Sequence, residues 1–301
     1  MTFSTNDRRS RRLPSWLKRK IPLLDECSDV ERVIRKKGLH TICREGRCPN
    51  RAECYSKNKV TFLILGDICT RNCLFCDVKN GQPGAPDLSE ADRIVEAVQQ
   101  LGLTHVIITS VTRDDLPDGG SRFYSNVVRK LKELDPPPLI ELLIPDFNGN
   151  TDDLRTVLDS NPDIISHNIE TVRTVFRSVR KGADYDRSIS ILSTVKNWRR
   201  EVMTKSALML GLGESVDEVL ETMTELREAE CDFLAIGQYL RPGIKQIPVE
   251  EFIHPEKFLW YEKKGYEMGF LEVTAGPLVR SSYQENKISR FRKSAVVEPD
   301  E

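Results

Sequence analysis

TFLILGDICTRNCLFC, residues 61–76, runs from a short apolar, β-rich segment straight into three cysteines. TFLILGD (61–67) has the composition of a strand buried on both faces. In α/β proteins chemistry gathers just beyond the carboxyl end of such a strand. Cys69, Cys73 and Cys76 occupy that position with the spacing C-x3-C-x2-C. No G-x-G-x-x-G follows the segment and the chain has no Walker glycines, so dinucleotide and P-loop readings lose their usual support.

Outward from this stretch the pattern repeats. Further strands are expected at THVIITSV (104–111), PLIELLIPD (138–146), DIISHNIE (163–170), TKSALMLGLG (204–213) and DFLAIGQYL (232–240). Helices are expected between them at 88–102 with Ser89 as N-cap, and at 121–134, 151–160, 186–200 and 215–230. A last helix at 255–268 precedes FLEVTAGP and a polar tail. Six βα units of roughly thirty to forty residues match βαβ geometry. Periodicity alone does not choose between an open doubly wound sheet and an incomplete barrel.

Composition narrows the function class. The 301 residues are 39% hydrophobic and 30% charged, enough for a sizeable core. Lys plus Arg (45) balances Asp plus Glu (46), so no global field recruits nucleic acid, and no nucleic-acid partner is expected. Seven basic residues cluster between positions 8 and 20, read as a solvated or docking tail. No apolar run is long enough for a signal or a membrane span, so a cytoplasmic protein without a membrane partner is expected. Eight cysteines in a reducing compartment then serve metals or catalysis more readily than disulfides.

A second triplet lies upstream in CREGRCPNRAEC, with Cys43, Cys48 and Cys54. A structural zinc site wants four closed ligands, whereas three thiolates on a 4Fe-4S cluster leave one iron open for a chelating group. With Phe75 at the aromatic position, CTRNCLFC resembles the signature loop of the radical S-adenosylmethionine superfamily. The upstream triplet, VTRDDLPDGG (111–120), IPDFNG, HNIETV, GQYLRP and RSSY (280–283) narrow the resemblance to the lipoyl synthases.

That resemblance implies an α/β partial (β/α)6 TIM-like barrel over 59–270. An N-terminal extension, 1–58, would carry the upstream cysteines, and a C-terminal extension, 271–301, would carry RSSY. It implies two 4Fe-4S clusters and S-adenosylmethionine as cofactors. Cys69, Cys73 and Cys76 would hold the radical-generating cluster. Cys43, Cys48 and Cys54 would hold the auxiliary one with Ser282 as fourth ligand, Ser281 being the alternative. The implied reaction inserts two sulfurs, at carbons 6 and 8 of a protein-bound octanoyl-lysine. Those C–H bonds are beyond side-chain acids and bases, so a 5'-deoxyadenosyl radical abstracts hydrogen and the auxiliary cluster is consumed as sulfur donor. Implied partners are octanoylated lipoyl-carrier proteins (lipoyl domains of 2-oxoacid dehydrogenases, the glycine-cleavage carrier protein), a low-potential donor such as ferredoxin or flavodoxin, and an iron-sulfur carrier.

Other residues carry two readings each. Glu170 holds polar groups of the cofactor or caps a helix; Gly211, Gly213 and Glu214 of GLGES contact the cofactor or form a tight turn. Arg180 and Arg241 offer bidentate carboxylate binding or are ordinary surface arginines, which are abundant here. Asp114 and Asp115 touch the substrate lysine or cap a helix, and His167 reads as a core histidine. Cys27 has no cysteine neighbour at motif spacing, nor has Cys231, which reads as a small buried hydrophobe. Rival readings are a structural zinc or iron-sulfur module and a radical enzyme adding methylthio groups to RNA or protein.

Overall fold

The computed structural model describes residues 13–18 and 28–282; Cys27, Tyr283 and most of the basic N-terminal cluster lie outside them. Before the first expected strand come α1 (Ser28–Lys36), the two-residue β1 (His40–Thr41), α2 (Ile42–Glu45) and α3 (Arg51–Ser56). β2 (Thr61–Ile64), β3 (His105–Ser110), β4 (Leu139–Leu143), β5 (Ile164–Ser166), β6 (Met203–Leu210), β7 (Phe233–Gln238) and β8 (Glu272–Gly276) follow. β2 to β8 pair parallel in chain order, and β1 pairs antiparallel to β2 at one edge. The sheet begins at β1 and ends at β8 without closing, a partial barrel. β2 to β7 are the six strands expected from sequence. β8, drawn from FLEVTAGP, adds a seventh parallel strand in register with β7, Glu272 opposite Phe233 and Gly276 opposite Gly237.

Between the strands run α4 (Glu90–Leu101), α5 (Ser121–Lys132), α6 (Thr151–Leu158), α7 (Arg173–Val179), α8 (Tyr185–Trp198), α9 (Val216–Glu228) and α10 (Pro255–Glu267). Their apolar faces cover the sheet: Val30 and Ile34 of α1, Ile94 of α4 and Val128 of α5 share one core with Phe62, Ile64, Val106 and Ile108. Met223 of α9 and Phe258 of α10 pack on Leu208, Leu234 and Ile236. Cys231 is buried in that second cluster. α9 opens with a reciprocal capping box between Ser215 and Glu218. Ser89 occupies the N-cap of α4 but makes no cap bond. Its amide and its hydroxyl both donate to Asp87 Oδ1, at 2.9 and 2.7 Å, and the hydroxyl oxygen accepts from Arg93 Nη1 at 2.6 Å in place of a helix amide.

The sheet interior carries a buried charge cluster around Glu141. Glu141 on β4 accepts from Lys205 Nζ at 2.9 Å and Ser166 Oγ at 2.9 Å, and His105 Nε2 lies 3.3 Å away. Burial alone pushes the Glu141 carboxyl up, but Lys205 and then His105 outweigh it and hold the pKa at about 2. A depressed carboxylate contributes stability above its unfolded pKa, lost as pH falls through the folded value. That window runs from ~4.5 down to about 2 here. Glu141→Gln leaves the Lys205 ammonium buried without its charge partner, and the expected cost at pH 7 is about 3 kcal/mol. Urea unfolding checks this, and a variant as stable as the parent at pH 7 would show the pair to be energetically idle.

Candidate functional site

Because β2 to β8 are parallel, their carboxyl-end loops leave the sheet at one face. The loop after β2 carries Cys69, Cys73 and Cys76 and is tied down on three sides. Arg71 Nε and Nη2 fork onto the two oxygens of Asp114, at 2.7 and 2.9 Å, and Nη2 also reaches Asp146 Oδ1 at 2.7 Å and Asn148 Oδ1 at 2.7 Å. The Arg71 side chain is 7% exposed and the Asp146 side chain 0%, so this is a desolvated, charge-assisted anchor. Desolvation works against both charges. The two carboxylates nonetheless raise the Arg71 pKa, and Arg71 lowers that of Asp146. The Leu74 amide donates to the Val179 carbonyl at 2.8 Å, and Gln246 Nε2 donates to the Cys76 carbonyl at 3.1 Å. Backbone amides of Arg71 and Thr112 donate to Cys69 Sγ at 3.4 and 3.3 Å.

Asp114 and Asp115 cap no helix: Asp114 serves Arg71, and Asp115 takes both Nε and Nη2 of Arg113 at 2.8 Å. The guanidinium groups claim them because each fork satisfies both carboxylate oxygens.

A cavity of about 320 Å³ opens at this face. Cys69, Cys73, Cys76 and Phe75 line it from the loop after β2, Cys43 and Cys48 from the N-terminal segment, and Ser281 and Ser282 from beyond β8. Cys54 joins Cys43, Cys48 and Ser282 around an adjoining cavity of about 20 Å³. The thiols form a wall and do not meet at a point: among the described residues no three His, Cys, Asp or Glu side chains converge on one metal-ion position. Burial pushes Cys43 and Cys76 up to about 12 and Cys54 and Cys73 up to about 11. All are neutral thiols near pH 7, so iron binding must release their protons. Sulfur donors spread over one apolar wall, with amides already directed at Cys69, suit thiolate ligation of iron-sulfur clusters.

Glu170 and Arg180 line the same cavity. Glu170 has φ +72°, a strained value for a residue with a Cβ, fixed by backbone bonds to Ala207 and Met209 at 2.9 and 2.8 Å. Its carboxyl pKa is raised by burial, against the pull of Arg180 and the Asn168 amide. Arg180 Nη1 donates to the Asn168 carbonyl at 2.8 Å. His167 is fully buried with Nδ1 donating to the Ile144 carbonyl at 2.9 Å; burial and Arg180 push it down to about 3, a neutral core histidine.

Gly211, Gly213, Glu214 and Arg241 are not brought to this cavity. Glu214 folds back to accept the amides of Gly211 and Leu212 at 2.6 and 2.8 Å. Gly211 has φ +99°, and a Cβ there would lie 2.3 Å from Gln238 Nε2 and 2.4 Å from the Glu251 carbonyl. Gly211 therefore leaves no room for a side chain. Arg241 is spent on carbonyls of its own loop, Gln246 at 2.7 Å and Ile244 at 2.5 Å. Sequence reasoning missed Arg71, Asp146, Thr112 and Met209. Arg71 stands inside the cysteine spacing, where only its partners reveal a role.

A parallel α/β scaffold with a three-thiol loop after its first parallel strand defines a radical S-adenosylmethionine protein, and the model of the Radical SAM superfamily matches residues 63–226. The model of the N-terminal domain of lipoyl synthase matches residues 2–48. Within the superfamily the chain belongs to the lipoyl synthase family. It is 48% identical over 278 residues to the lipoyl synthase of Caldicellulosiruptor saccharolyticus, covering 92% of this chain and 98% of that one. Against the lipoyl synthase of Pseudomonas fluorescens it is 42% identical over 285 residues, 94% of this chain and 84% of that one. The cofactors are accordingly S-adenosylmethionine and 4Fe-4S clusters. Among solved structures, Streptococcus suis SuiB bound to precursor peptide SuiA shares the fold. The TM-score is 0.56 at 13% identity, covering 71% of this chain and 48% of that one. Methylornithine synthase gives a TM-score of 0.50 at 16% identity, over 64% of this chain and 56% of that one.

If Arg71 anchors the cysteine loop, Asp146→Ala frees one arm of it. The expected outcome is a loss of about 3 kcal/mol, with several-fold faster alkylation of Cys69 and Cys73 in cluster-free protein. Wild-type alkylation rates would show the loop to be held without this contact.

Proposed function

We infer that the chain is a lipoyl synthase that inserts two sulfur atoms at carbons 6 and 8 of an octanoyl-lysine on a lipoyl-carrier protein. One observation carries this reading: both cysteine triplets and Ser282 border two adjoining cavities at one face of the sheet. A radical enzyme needs one cluster; a second thiol set beside the first supports a sulfur donor within reach of the same substrate carbon. The larger cavity is also walled by Leu63, Val78, Leu143, Ile144, Met209 and Leu240, a lining suited to an eight-carbon alkyl chain.

In this reading Cys69, Cys73 and Cys76 hold the radical-generating cluster, and Cys43, Cys48, Cys54 and Ser282 hold the auxiliary one. Bound there, the clusters and S-adenosylmethionine supply the one-electron chemistry that unactivated C–H bonds require. Arg180 presents a planar fork suited to a carboxylate, and Glu170 an acceptor for an amine or hydroxyl. The apolar wall aligns the alkyl chain and excludes water. Ser282 contributes a hard oxygen donor to an otherwise soft thiolate set, and so the weakest protein bond to iron. Among carriers we assign lipoyl domains of 2-oxoacid dehydrogenases and the glycine-cleavage carrier protein. Ferredoxin or flavodoxin is proposed as reductant and an iron-sulfur carrier as the source of replacement cluster, all in the cytoplasm. Among the described residues no helix is long and apolar enough to cross a membrane.

Mass spectrometry of an octanoyl-lysine peptide after anaerobic incubation with S-adenosylmethionine and reductant is expected to show gain of two sulfurs; an unmodified peptide beside abundant 5'-deoxyadenosine would overturn the reading. Cys73→Ala is expected to abolish cofactor cleavage with the auxiliary cluster retained. Cys48→Ala is expected to keep cleavage but give no sulfur-containing product, and lipoyl product from it would refute the donor role. Ser282→Cys is expected to keep both clusters and cleavage and lose most sulfur insertion, because thiolate grips the departing iron harder; wild-type yield would refute the weak-bond account.

A further inference from the structure

The segment that delivers Ser282 is gripped from two sides by residues no motif reading assigns. Beyond β8 the chain turns, with the Val279 amide donating to the Gly276 carbonyl at 3.1 Å. The Val279 side chain packs between Ala207 of β6 and Ala235 of β7, 8% exposed. The backbone there runs so close to β7 that a Cβ on Gly237 would lie 2.1 Å from the Val279 carbonyl oxygen. Only glycine leaves room for that approach. On the other side stands Asn50, between Cys48 and Cys54, 1% exposed. Its Nδ2 donates to the Leu278 carbonyl at 2.6 Å, while its Oδ1 is buried with no hydrogen-bond partner among the described residues. A buried amide with half its polar capacity unmet is costly, and the single bond it makes spans two segments that both border the auxiliary cavity.

We propose that Asn50 is a positioning residue for the auxiliary site: it fastens the C-terminal strap, seated by Val279 over Gly237, so that Ser282 faces Cys43, Cys48 and Cys54. This rests on the reading of Ser282 as the fourth ligand. The amide sits within the C-x5-C span of the upstream triplet, so one residue ties the three thiols to the strap that brings the fourth donor. Val279 also holds the strap by van der Waals contact with Ala207 and Ala235, which resists inward movement more than peeling outward. The Asn50 bond adds a directional restraint against that outward movement.

The test uses anaerobically reconstituted full-length Asn50→Ala. Hydrogen exchange at Val279–Ser282 is expected to rise roughly two- to tenfold, the range one net hydrogen bond supplies. Cofactor cleavage is expected to stay at the parent rate, while lipoyl product per 5'-deoxyadenosine falls at least threefold. A merely structural residue would lower both products together. Unchanged exchange, or faster exchange with the parent's product ratio, overturns the proposal. Should Asn50→Ala not fold, Val279→Ala loosens the other grip and the same two readouts decide. Parent enzyme run in parallel separates the cases: if it inserts no sulfur, the functional reading fails, whereas parent insertion with a parent-like variant rejects the role of Asn50 alone.

Discussion

The parallel register of β2 to β8 is the constraint on which the site depends. Seven strands running one way oblige every strand-to-helix loop to leave at a single face, and there loop side chains far apart in the chain converge. The loop after β2 brings three thiols, the segment beyond β5 brings the strained Glu170, and the segment beyond β8 brings Ser282. The N-terminal segment has no strand of that series. It reaches the same face because β1 pairs antiparallel to β2, the first of the parallel strands, and α1 shares the core of the neighbouring strands.

The loops that carry donors are restrained by different physics. The loop after β2 is held by charge, with Arg71 forked across Asp114 and bonded to the fully buried Asp146. The C-terminal strap is seated by the shape of Val279 over Gly237 and tied by a neutral bond from Asn50 to Leu278. Charge-assisted hydrogen bonds are worth ~1.5–3 kcal/mol and neutral ones ~1 kcal/mol, so the first loop is the stiffer of the two. That ordering suits the proposed roles. A cluster that must turn over repeatedly needs fixed ligands, whereas a site that gives up sulfur must open and be refilled.

Much of this architecture was legible in the chain. Apolar runs with β-branched residues located β2 to β7 because strands covered on both faces cannot carry an alternating pattern, and C-x3-C-x2-C lies on one loop, so its spacing is local geometry. FLEVTAGP was harder: β8 carries Glu272 and Thr274 and continues the sheet through pairing with β7, which no local pattern encodes. The paired readings of Asp114, Asp115, Gly211, Gly213, Glu214 and Arg241 stayed open in sequence for the same reason. Whether a carboxylate faces a cavity or an arginine depends on which arginine the fold brings beside it.

The sequence by itself determined the parallel α/β class, the two thiol triplets and the family, because each is written in residues close together in the chain. Tertiary structure decided that the triplets share one face with Ser282, that Arg71 and Asn50 hold their loops, and that Gly211 of the GLGES turn lies hard against Gln238 and Glu251. The physical reason is range. Strand burial and ligand spacing act over a few residues, whereas a buried ion pair or a close backbone approach exists only once remote segments have been packed together.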